Sequence, residues 1–250
     1  DLDAAILGAA ARCTQPSSGG HGTHVAGIAV GNGSATGAGQ PANRFIGMAP
    51  EADILAANSI AGGVGGNNAV LDAVAWMKAK AKAAGKPLVI NMSLGSYYGA
   101  RDGSSNYEKG LSNAGEAGVV LVAAAGNEGN APIRATATVT TGQATPVTLN
   151  VPRGGQIEMW YPGTHRYAVS LVGPGCSETV RVEPGASSQS FDTDCGQIEI
   201  LHTEPQANND DRQVLVTLGD GSKPLKTGTW TINVLGVTVP GGSATFSMIC

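Results

Sequence analysis

Two stretches, "LVINMSL" (88–94) and "VVLVAAAG" (119–126), are apolar with almost no alternation, and they constrain the fold more than any other feature. A strand with one wet face alternates apolar and polar residues. A continuously apolar strand is expected to be covered on both faces, as in a parallel sheet layered with helices. Helices are read on either side of the first strand. "NNAVLDAVAWMKAKAKAAGKP" reads as one, with Asn68 as N-cap and Val70, Val74, Met77 and Ala81 as its buried stripe. Gly85 and Pro87 stop it, as a left-handed cap followed by a residue that cannot continue a helix. A second, poorer helix covers 106–117. Helix, strand, helix, strand implies a parallel sheet with right-handed crossovers, in which functional groups gather beyond the carboxyl ends of the strands.

After "GNAPIR" the period changes. "TATVTTGQATPVTLNVP", "QIEMWYP", "RYAVSLVGP", "ETVRVEPG", "GQIEILHTEP", "RQVLVTLGD", "GTWTINVLGV" and "SATFSMIC" are short alternating segments, most of them separated by Gly, Pro, Asn or Asp. Such spacing predicts an antiparallel β-sandwich. The expected organisation is an α/β unit over 1–133 and an all-β sandwich over 134–250. Cys176 and Cys195 flank a polar stretch in the strand-rich half. They are read either as a disulfide or, with Cys13 and Cys250, as buried free thiols; no CxxC or zinc spacing is present.

Composition removes several function classes. Charged residues make up 14% of the 250, the formal net charge is −4, and no Lys/Arg block points to nucleic acid. No apolar run reaches the ~18 residues of a membrane helix. The start, "DLDAAILGAAARC", lacks the basic region of a secretory signal. Gly, with 37 residues, is about twice its average usage, a bias common in secreted enzymes rich in tight turns.

Chemistry-bearing residues are few, and "GGHGTHVAG" (19–27) holds two of them, His21 and His24. A zinc pair is one reading, but the glutamate of H-E-x-x-H is missing, and a third ligand would have to be His165, His202 or a distant carboxylate. Two core histidines is another. The third makes His21 a general base at the start of a buried helix, with Gly19, Gly20 and Gly22 leaving room for a substrate. Further on, Ser93, Leu94 and Gly95 leave the first apolar strand and could offer an edge to an extended peptide. Ala124, Ala125 and Gly126 leave the second and would line a hollow. Asn127 could aim an amide donor into it, as a tetrahedral oxyanion requires.

Taken in order, "GHGTHVAGI", "NMSLG" and "AAAGNEG" resemble the motifs of the subtilisin-like serine peptidases, or subtilases, over about residues 20–130. The resemblance implies His21 as general base and Asn127 as oxyanion donor. It implies Ser93, Leu94 and Gly95 as the segment pairing with substrate backbone, and Ala125 and Gly126 as the opposite wall of the specificity pocket. His24 matches a non-catalytic residue, buried on the same helix. "GNEGNAPIRATATV" running into alternating strands resembles the junction in Csp-type bacterial subtilases. These carry a jelly-roll domain inserted after the asparagine motif, with a rigidifying and shielding role. The implied protein is secreted or cell-surface, acts on peptides or proteins, and uses no nucleic acid or membrane partner. Subtilases often bind calcium, but no DxDxDG-type loop occurs here and no metal ligands are assigned.

Two family motifs are not found. Only Asp1 and Asp3 precede His21, in what reads as a helix start, and Gly-Thr-Ser-Met-Ala does not occur. Ser243 and Ser247 lie in a terminal strand, and neither Ser93 nor Ser96 sits in a nucleophile turn. The chain therefore reads as an internal segment of a larger subtilase, working with the remaining segments of that protease and inactive alone. The alternatives are a pseudoprotease or a β-sandwich that binds a partner or a glycan, with Trp160, Tyr161, Tyr167 and Trp230 as either a stacking stripe or core.

Overall fold

Sheets dominate the computed structural model, which describes residues 20–36, 38–58, 66–179, 181–185 and 188–250; Asp1, Asp3 and Cys13 lie outside the described residues. The chain divides into two compact units. One holds the described residues up to Gly95 together with Asn106–Ala124; the other holds Ser96–Ser105 and Ala125–Cys250. The division follows the hydrogen bonds of residues 96–105, set out below, rather than the change of hydrophobic period near 133.

In the first unit, α1 spans His21–Val30, α2 Asn67–Ala83, β1 Leu88–Met92, α3 Asn106–Ala114 and β2 Val119–Ala123. The helix predicted in "NNAVLDAVAWMKAKAKAAGKP" forms, but Asn68 is not its cap: Gly66 holds that position, with no side-chain bond. Its stripe is Val70, Val74 and Ala81, with Met77 half-buried beside them. At the other end, Gly85 takes φ +64°, and the N–H groups of Gly85 and Lys86 return to the carbonyls of Lys82 and Ala81. This pair of bonds satisfies carbonyls that the end of the helix would otherwise leave open. Lys78 of α2 donates to the Ala114 carbonyl at 2.9 Å and pairs with Glu116, so one side chain closes the end of α3.

β1 and β2 are parallel, with Leu88 opposite Val119 and Met92 opposite Ala123. Burial of β1 alternates: Leu88, Ile90 and Met92 enter the helix-covered core, whereas Val89 is 68% exposed. Two-sided cover is therefore not found among the described residues, where the helical layer lies on one face only. Helix α1 differs from expectation in the same way, since none of its residues is buried. The N–H groups of Met48 and Ala49 donate to the carbonyls of Ile28 and Ala29 near its end, and that of Gly47 to the carbonyl of the capping Gly31.

The second unit contains two antiparallel sheets around one apolar core. The six-stranded sheet has the order β3 (Arg134–Thr140), β11 (Ser243–Ile249), β5 (Gly155–Pro162), β9 (Asp211–Gly219), β8 (Gly196–His202), β7 (Gln189–Thr193). The three-stranded sheet runs β4 (Ala144–Val151), β10 (Gly228–Thr238), β6 (Arg166–Val172). β3 and β4 read as one alternating run, yet they part at the turn around Gly142 and enter different sheets. β9 alternates without a break, sending Arg212, Val214, Val216 and Leu218 inward. Among its described residues, "ETVRVEPG" shows a bridge, Val182 to Val169, rather than the expected strand.

Three of the four aromatic candidates are core. Tyr161 is 2% exposed, and Tyr167 and Trp230 are fully buried, while Trp160 is half-buried. Trp230 Nε1 donates to the Lys226 carbonyl, and Tyr161 stacks on Tyr167. A sugar-stacking stripe needs exposed faces, so this reading fails for those three. Cys176 and Cys195 are joined in a disulfide, and Cys250 is free and exposed.

Candidate active site

The local backbone explains where each candidate side chain stands. His21 is the first residue of α1, and the preceding Gly20 has φ +70°, a conformation that side chains with a Cβ rarely adopt. His21 is exposed. His24 is exposed too, contrary to the expected burial, because no layer covers α1 among the described residues. The other two histidines do not join them in one metal cluster. His165 is half-buried beside Thr164, and His202 is buried in the sandwich, with Nε2 on Tyr161 Oη at 2.5 Å. Among the described residues, no three His, Cys, Asp or Glu side chains are grouped to hold a metal.

Ser93, Leu94 and Gly95 follow β1 directly. Leu94 leans on the helix-covered core, and Ser93 Oγ accepts a hydrogen bond from Asn91 Nδ2 at 2.9 Å. Ser96 Oγ accepts from the Tyr98 N–H. Neither serine hydroxyl has a histidine partner among the described residues. Ala125, Gly126 and Asn127 follow β2, all exposed. β1 and β2 are parallel, and the Ala124 N–H donates to the Met92 carbonyl at 3.1 Å. Both motif segments thus leave from the carboxyl end of the same strand pair. This places His21, Ser93, Leu94 and Gly95 in the first unit, and Ala125, Gly126 and Asn127 in the second.

Asn127 is held by its backbone. Its N–H donates to Glu128 Oε2 at 2.9 Å and to Tyr97 Oη at 3.3 Å, and Tyr97 Oη donates to the same carboxylate. The sequence reading missed Tyr97 and Glu128, which lie 31 residues apart and obey no helix or strand period. It also missed Glu158, a 2% exposed carboxylate under residues 96–105. Glu158 Oε2 accepts from the Gly99 N–H at 2.7 Å and Oε1 from Gln213 Nε2 at 2.6 Å. Asp102 adds a second tether, accepting from Asn209 Nδ2 at 3.0 Å. Hydrogen bonds from Ser104, and then from Asn209, hold its carboxyl down at about 2. Four hydrogen bonds thus tie residues 96–105 to the rest of the second unit.

Comparison with known proteins gives three findings. The family model described as "Subtilase family" matches residues 9–208. The chain is 36% identical over 111 residues to a thermostable alkaline protease of Halalkalibacterium halodurans, and 37% identical over 112 residues to the minor extracellular protease Epr of Bacillus subtilis. Each match takes in 44% of this chain, and it spans 26% and 15% of those relatives. Among solved structures, the Clostridium perfringens CspB protease superposes on 92% of this chain with a TM-score of 0.71 and 25% identity, the match taking in 48% of that protein.

Proposed function

This chain belongs to the subtilase family, and we propose that it is part of a serine endopeptidase that hydrolyses peptide bonds by acyl transfer. One observation carries the reading beyond family membership: "NMSLG" and "AAAGNEG" both leave from the carboxyl end of one parallel strand pair, where α/β sheets place their chemistry. In this mechanism His21 takes the proton from a serine hydroxyl as it attacks the scissile carbonyl, then returns it to the leaving amine. Asn127 donates its side-chain N–H to the developing oxyanion. Ser93, Leu94 and Gly95 pair with the substrate backbone, and Ala125 and Gly126 line the pocket for the side chain before the scissile bond. The 250 residues contain no Gly-Thr-Ser-Met-Ala, so the reading takes the nucleophile, and its acid, from sequence outside them.

The second unit is read as an inserted, jelly-roll-like domain whose hydrogen bonds to residues 96–105 brace the segment following the substrate strand. A secreted protein acting on peptide or protein substrates agrees with this. Among the described residues no helix is long and apolar enough to cross a membrane.

The test is peptide-anilide hydrolysis by the intact protein with Asn127→Leu. In subtilisin, from which the magnitude comes, losing the oxyanion asparagine lowers kcat about 10²–10³-fold. The same loss with KM unchanged is expected here. An unaltered kcat, or no hydrolysis by the wild type, would reject the reading.

A further inference from the structure

An oxyanion donor works only if its position is set before the charge develops, so whatever fixes the backbone of Asn127 bears on the rate. That backbone sits in a closed triangle. The Asn127 N–H is shared by Tyr97 Oη and Glu128 Oε2, and the tyrosine hydroxyl donates to the carboxylate. Gly126 is shaped to the same hydroxyl. It takes φ +102°, and a Cβ at that position would collide with Tyr97 Oη. No side chain larger than glycine's fits there while Tyr97 keeps its place.

Tyr97 is in turn fixed from below. Its carbonyl accepts from Arg101 Nη1 at 2.7 Å, and two residues on, the Gly99 N–H is anchored on the buried Glu158. Glu158 lies on β5 and Gln213 on β9, so the foundation is the six-stranded sheet itself. A run of polar contacts therefore leads from that sheet, through Gly99 and Tyr97, to the amide of Asn127. It requires no motif in the sequence, because the contacts that carry it, Glu158 to Gly99 and Tyr97 to Asn127 and Glu128, join residues distant along the chain.

We infer that Tyr97 and Glu128 are positioning residues for Asn127, setting the backbone from which its side-chain amide meets the substrate oxyanion. The inference rests on the peptidase reading. It adds that the β-rich unit takes part in the rate, by holding a hydroxyl and a carboxylate against the donor.

The experiment is a kinetic cycle on the intact protein. A displacement of about 1 Å remote from the chemistry costs up to ~10²-fold. Tyr97→Phe, which deletes only the hydroxyl, is expected to lower kcat about 10-fold with KM unchanged. Glu128→Gln keeps an acceptor oxygen and should retain most of the rate, whereas Glu128→Ala should not. In the Asn127→Leu background, Tyr97→Phe should cost nothing further, since residues that act as a unit are not additive. Wild-type kcat in Tyr97→Phe beside a slow Asn127→Leu, or additive losses in the double variant, would overturn the positioning role.

If Asn127→Leu alone leaves kcat unchanged, it is the peptidase reading that fails. The triangle is then decided without turnover, by the amide resonance of Asn127 in protein labelled with 15N-asparagine. It should move in Tyr97→Phe. A resonance that stays in place would refute the geometry itself.

Discussion

Lowering the pH should destabilise the β-sandwich through one side chain, His202. The strand period explains its place: Ile198, Ile200 and His202 fall on the inward face of β8, so the imidazole is fully buried. Its Nε2 meets Tyr161 Oη, and the ring lies beside the backbone of Val182. Arg212, inward on the neighbouring β9, brings a positive charge close by, held by Glu204 Oε2 at 2.9 Å and by the carbonyls of Gly163 and Thr203. Burial first, and then this guanidinium, push the His202 pKa down from 6.5 to about 4; the backbone of Val182 is the larger opposing influence, Arg166 acts with the guanidinium, and Glu204 opposes least.

The sign follows. The unfolded chain takes up a proton near pH 6.5, and the folded chain does so only near 4, so unfolding gains protons throughout that window. Stability is complete above about 6.5, declines as the pH falls, and has lost the whole contribution of His202 below about 4. At ~1.4 kcal/mol per pH unit, the gap between the two values makes the loss about 3 kcal/mol. Urea unfolding followed by the fluorescence of the buried Trp230, at steps from pH 7 to 4, measures it. Carboxylates also titrate near the acid end, so the comparison is with His202→Gln, which can still reach Tyr161 but carries no titrating ring. The wild type should lose about 3 kcal/mol more than the variant between pH 7 and 4. Parallel stability curves would refute the argument.

Other consequences can be checked separately. Gly126→Ala forces a side chain into a left-handed backbone and onto Tyr97 Oη, and should lower kcat as Tyr97→Phe does, with the β-sheet circular dichroism intact. An unchanged kcat would separate Gly126 from the site. Glu158→Ala leaves the Gly99 N–H and the Gln213 amide without their acceptor, at a cost of about 1–3 kcal/mol. Hydrogen exchange at Gly99 should accelerate markedly, and full protection would show that Glu158 does not hold that segment. The Cys176–Cys195 disulfide closes a loop of 19 residues, so replacing both cysteines by alanine should cost the sandwich about 3 kcal/mol in urea unfolding.

Local patterns made much of the architecture legible. The apolar stripe of α2 and the alternation of β9 depend only on neighbouring residues, and they survive into the structure. The parallel pairing of β1 and β2 was readable because apolar strands alternating with helices leave few other solutions. Features decided by long-range contacts were not readable. β3 and β4 read as one alternating run, but β11 and β10 claim them for different sheets. β7 holds a single large apolar residue, Phe191, too little for a recognisable period. The half-open face of β1 and the uncovered α1 reflect which layers are present among the described residues, which composition does not reveal. At the site, the motif residues were named by resemblance, whereas Tyr97, Glu128 and Glu158 appear only when the chain is folded.

The account's central claim is that His21 activates a serine. It is tested most directly by labelling the intact protein with a fluorophosphonate and mapping the modified peptide. The account predicts one adduct, on a serine outside these 250 residues, whose rate of formation collapses in His21→Ala. An adduct on Ser93 or Ser96, or labelling in His21→Ala as fast as in the wild type, would contradict it.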